Sequence, residues 1–113
     1  MKVQIQDGQW RLRLLEEEVA QLCAGDALAC QGRLPAGLQL GFSVRLAASA
    51  VAGVGHDGDV WRIDLPRVAV EDLKARLPDR DGIDFPLGDD ADVPFRVLVQ
   101  VDVHDSVKRR RRA

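Results

Sequence analysis

Two imidazole–carboxylate neighbours, His56-Asp57 and His104-Asp105, are the first places where this chain could move a proton. Residues adjacent in an extended chain point to opposite sides, so neither pair makes an acid–base couple, and only distant acids could complete a three-ligand metal site. Cys23 and Cys30 are the only cysteines and lack a second pair or a histidine at zinc-ligand spacing, so they read as reduced, half-buried small hydrophobes. The run Asp79-Arg80-Asp81-Gly82-Ile83-Asp84 has the look of a calcium loop. Aligning Gly82 with the required glycine, however, puts Leu77 at the first ligand position and Gly88 where the bidentate glutamate belongs. A solvated turn is the expectation, with Asp89, Asp90 and Asp92 able to add only weak, nonspecific cation binding. Ser43, Ser49 and Ser106 have no Gly-x-Ser-x-Gly context, Gly53-Val54-Gly55 has neither a third glycine nor a strand-to-helix passage, and there is no Walker loop. No catalytic residue, cofactor or metal site is predicted.

Arginines offer a different chemistry. If Trp10, Phe42, Trp61 and Phe95 face a core, strand alternation puts Arg11, Arg13, Arg45, Arg62 and Arg96 on the opposite faces, with Gln4, Gln6, Gln39, Ser43 and Gln100. Such a face could bind a small phosphorylated anion, although Asp64 and Asp102 would neutralise part of it. The other reading is an ordinary solvated sheet surface. Asn and Tyr are absent and lysines are few, a bias that GC-rich codons of a bacterial genome would produce, so arginine by itself says little about phosphate. A second basic feature is the terminal Lys108-Arg109-Arg110-Arg111-Arg112, which leaves 11 basic against 18 acidic residues in the rest of the chain. A body of about −7 repels nucleic acid, and stacking aromatics are scarce, so nucleic-acid contact is expected only through that tail.

The elements that must position these residues follow from periodicity. Val3 and Ile5, then Trp10, Leu12 and Leu14, alternate with polar residues on either side of Asp7-Gly8, which reads as a β-hairpin. Leu15, Val19, Leu22 and Cys23 then fit helical spacing, with Glu16, Glu17 and Glu18 in the first turn and Gly25 as the stop. Residues 27–33 form a further strand closed by Pro35-Ala36-Gly37, and Leu38, Leu40, Phe42, Val44 and Leu46 give the clearest alternation in the chain. The stretch 47–55 fits either a bulged strand or a loop, and His56-Asp57-Gly58-Asp59 reads as a turn. Trp61, Ile63 and Leu65 make a strand ending at Pro66, and 68–77 a short helix ended by Pro78. After an acidic, turn-rich segment holding a short strand at 83–87, Phe95 to Val103 alternates as the last long strand. No internal repeat is evident.

The expected architecture is therefore α+β: a mainly antiparallel sheet or partly closed barrel of about six to seven strands with two short helices. One domain should span 1–107, followed by a disordered basic tail at 108–113. At this length folding buries roughly two thirds of the surface of the unfolded chain, so no metal or disulfide staple is needed. With no apolar stretch after Lys2 and none of the roughly 18 residues that span a bilayer, the expectation is a cytoplasmic protein with no membrane contact.

The segments Lys2-Val3-Gln4-Ile5-Gln6, Arg11-Leu12-Arg13-Leu14, and Glu18-Val19 with Leu22 resemble the opening of a family of small uncharacterised bacterial proteins. That resemblance implies a hairpin followed by a short helix and carries no activity with it. Triphosphate-tunnel barrels, whose first strand bears Glu-x-Glu-x-Lys, offer a second comparison. Here Gln4, Gln6 and Gly8 stand where those charges belong, which argues against metal-dependent triphosphate hydrolysis. The functional expectation is a non-enzymatic binding or accessory module, with a homodimer or protein partner. Two alternatives stand beside it: an enzyme or sensor for a small anion on the arginine face, and nucleic-acid contact through the tail.

Overall fold

The computed structural model describes residues 1–87 and 95–102. Eight strands and two helices follow in the order β1 (Lys2–Gln6), β2 (Gln9–Leu14), α1 (Glu16–Cys23), β3 (Leu28–Arg33), β4 (Gln39–Ala47), β5 (Gly53–Asp57), β6 (Val60–Pro66), α2 (Arg67–Ala75), β7 (Ile83–Leu87) and β8 (Phe95–Val101). They make two four-stranded sheets, β1-β2-β8-β7 and β3-β4-β6-β5. The α+β class with two helices agrees with expectation. Strand count and direction differ, because the small-residue stretch after Ala47 supplies an extra strand and each sheet is built around a central parallel pair, β2 with β8 and β4 with β6. The two sheets stay separate and do not close into a barrel.

That mixed pattern has one origin: the fold is a duplicated ββαββ unit whose halves exchange hairpins. The Lys2↔Arg13 pair of β1 and β2 becomes Gly53↔Asp64 in β5 and β6, a shift of 51 that holds for every pair of both ladders. Leu28↔Val44 of β3 and β4 becomes Ile83↔Val99 in β7 and β8, a shift of 55. Combining the two turns Gln9↔Arg96 into Val60↔Gly41, the register observed between the central strands of the second sheet. Even the connecting bonds match: Arg96 N–H donates to Gly8 O at 3.0 Å, and Gly41 N–H donates to Asp59 O at 3.0 Å. The absence of a repeat expected from the sequence is thus corrected. Few identities survive, yet backbone pairing needs only the right face to be apolar.

The core sits between the sheets in register layers. Leu12, Ile63, Val44 and Val99 form one layer, Leu14, Leu65 and Val101 the next, and all are buried. Each helix follows a central strand directly and buries the same two positions, Val19 and Leu22 in α1, Val70 and Leu73 in α2. The helices pack on one another and on β3, β4 and β6. Helix α1 begins without a side-chain acceptor at Leu15. Instead Glu18 reaches back to accept the Leu15 N–H at 2.9 Å, and its second oxygen lies 2.6 Å from the terminal amine of Met1. No helix among the described residues is long and apolar enough to cross a membrane.

Candidate functional site

Alternation sends Trp10 and Trp61, at the beginnings of β2 and β6, to the end of the core opposite the points where the helices start. The two residues are equivalents under the shift of 51, and their rings meet edge to face at 5.8 Å. Trp10 also meets Phe42 at 5.4 Å and Phe95 at 5.3 Å in the same T-shaped manner, which suits the positive ring edge to the negative ring face. His56, on β5 rather than in a turn, lies against Trp61 with ring centroids 4.3 Å apart. The core is therefore capped at this end by Trp10, Trp61 and Phe95, whose rings remain half-buried, over the buried Phe42.

Between the edge strand β5 of one sheet and the edge strand β7 of the other the cap opens into a cleft of about 510 Å³. Ala52, Gly53 and Val54 form one wall, Leu87 and Phe95 the other, and Trp10 and Trp61 the floor. A small residue helps make the opening: where Met1 precedes β1, the equivalent position before β5 is Ala52, and Gly53 lines the cleft with backbone alone. Among the described residues no charged side chain lines the cleft.

The arginines are divided between the two sheets. Arg11 and Arg13 on β2 and Arg96 on β8 belong to the first sheet, Arg45 on β4 and Arg62 on β6 to the second. Three of them hold carboxylates: Arg45 Nε lies 2.8 Å from Asp64, Arg62 Nη1 2.8 Å from Asp57, and Arg96 Nη1 2.7 Å from Asp84. The hydrogen bond to Asp64, followed by that carboxylate's charge, raises the Arg45 pKa further. A single cradle of five arginines is thus not what the fold assembles. Lys108, Arg109, Arg110, Arg111 and Arg112 lie outside the described residues, as do His104 and the acidic run Asp89, Asp90 and Asp92.

Set against known proteins, the chain matches no family model, no curated protein and no solved structure. Its site must be read from its own geometry. Cys23 and Cys30 are free and half-buried, and burial pushes the Cys23 thiol pKa up, away from nucleophilic use. Among the described residues no three His, Cys, Asp or Glu side chains gather in a way that could hold a metal ion. The aromatic cleft was missed in the sequence because its rings were assigned wholly to the core. A signal was present: Asp7-Gly8-Gln9-Trp10-Arg11-Leu12 and Asp57-Gly58-Asp59-Val60-Trp61-Arg62-Ile63 repeat one motif with a single inserted residue.

Proposed function

We propose that this protein is a non-enzymatic binding module that takes a small, flat, apolar ligand into the cleft between β5 and β7. The lining carries the reading, since Trp10, Trp61 and Phe95 present ring surface while Ala52, Gly53, Val54 and Leu87 supply apolar walls. The volume of about 510 Å³ suits a ligand of a few fused rings. The described lining, ring and aliphatic surface without an ionisable group, favours binding such a molecule over transforming it.

The chain's two tryptophans both floor the cleft, so their fluorescence reports on it directly. Titration with a planar probe such as 1-anilinonaphthalene-8-sulfonate or indole should give saturable quenching or energy transfer. Val54→Asp puts a charge into the apolar wall at a position already 39% exposed, so it should weaken the response at least about tenfold while the protein stays folded. Undiminished binding by a folded Val54→Asp protein would reject the cleft as the site.

A further inference from the structure

The outer faces of the two sheets can be compared position by position because the duplication keeps their registers in step. In the second sheet Arg62 is held by Asp57 and Arg45 by Asp64, so two cations meet two anions. Shifting back by 51, the position of Asp57 is Gln6 and that of Asp64 is Arg13, while Arg62 corresponds to Arg11. The first sheet therefore keeps the arginine, loses both aspartates and gains a second arginine. Among the described residues neither Arg11 nor Arg13 makes an ion pair or a side-chain hydrogen bond.

Their neighbours add donors. Lys2 stands across from Arg13 and Gln4 across from Arg11 on β1, and Gln100 lies beside Arg13 on β8. Arg11 and Arg13 are two residues apart on one face, hence about 7 Å between their Cα atoms, a spacing over which two forks can close on one ligand. Nε of Arg11, like that of Arg62, is shut away from solvent without a partner, so the terminal guanidinium nitrogens must make the contact. Among the described residues the nearby carboxylates already have partners. Asp84 is bonded to Arg96, and Glu18 to the terminal amine and the Leu15 N–H. Asp102, which also has a partner, lies at the margin, where it lines a hollow of about 260 Å³ with Lys2 and Arg13.

We infer that the outer face of β1, β2 and β8 is a binding site for a small phosphate-type polyanion, held by Arg11 and Arg13 with Lys2, Gln4 and Gln100 around it. This site is separate from the aromatic cleft and does not depend on it. Pyrophosphate added to the full chain at constant ionic strength is the test, followed by calorimetry and by the arginine Nε–H resonances. Saturable binding is expected, with shifts at Arg11 and Arg13 and none at Arg62. Arg11→Gln should weaken it at least about tenfold, and Arg13→Asp, which restores the pattern of the second sheet, should abolish it. Arg62→Gln, at the equivalent position, should leave it unchanged. Binding that survives Arg13→Asp, that falls equally with Arg62→Gln, or that fails to saturate would overturn the assignment and place the anion elsewhere on the chain. Far-UV circular dichroism of each variant separates loss of the site from loss of the fold.

Discussion

Arg62 on β6 and Arg11 on β2 occupy the same place in two copies of one strand arrangement, yet Arg62 lies 2.8 Å from Asp57 and Arg11 has Gln6 at the corresponding position. Inside, the copies agree far better. Leu12 answers to Ile63, Leu14 to Leu65, Val19 to Val70 and Leu22 to Leu73, and every one is buried. The contrast separates two kinds of constraint. An inner position must fill a fixed volume without polar atoms, so both copies keep the same residue class. An outer position is solvated and tolerates change at small cost, so differences accumulate there and give the two sheets different surface chemistry.

A difference between the copies also bears on the seam where the cleft opens. The wall at Ala52 corresponds to Met1 in the other copy, where the larger side chain packs against the core. Symmetry of the backbone does not enforce symmetry of the surface.

The comparison can be stressed hardest at its most equivalent point. Leu22→Ala and Leu73→Ala each remove a fully buried side chain from the facing helices, and each should cost about 2–5 kcal/mol in urea unfolding, with the two values within about 1 kcal/mol of one another. Widely unequal losses would show that the halves share topology without sharing a core.

Next in size is a place where the copies part. Gly82, just before β7, has φ 70°, and a Cβ there would run into the backbone carbonyl of Val99. Its counterpart by the shift of 55 is Ala27, which carries a side chain without a positive φ. Gly82→Ala should therefore destabilise by about 2–3 kcal/mol, and Ala27→Gly by no more than about 1 kcal/mol. Equal, small effects at both positions would remove the close approach as a determinant of the first sheet.

The smallest effect is expected on the outside. Asp57→Gln gives β5 the residue that β1 carries, and since this pair is largely solvent-exposed the unfolding free energy should move by less than about 1 kcal/mol. A larger loss would mean that the second sheet depends on its ion pairs, and the reading of the two faces as freely diverging would fail.

Much of this architecture is legible in the chain itself. Alternation around Asp7-Gly8 places the first hairpin, and the switch to helical spacing at Leu15 places α1, because these patterns depend only on which side of a local element meets the core. The strand over Gly53–Asp57 is not legible in this way, since glycines there remove the alternating apolar signal and only pairing with β6 makes the segment extended. Nor is the parallel pairing of β2 with β8, which joins residues more than eighty positions apart. Long-range partner choice has no local signature.

For the candidate sites the division is similar. Sequence alone determined that Trp10 and Trp61 point inward and that Arg11, Arg13, Arg45, Arg62 and Arg96 point outward, since that follows from strand period. Only the tertiary structure decided that the tryptophans meet beside an open seam, and that the arginines divide three and two between sheets, with carboxylates beside Arg45, Arg62 and Arg96. The reason is physical: period fixes the face on which a side chain lies, whereas its neighbours are set by which strands pair and how two sheets are stacked.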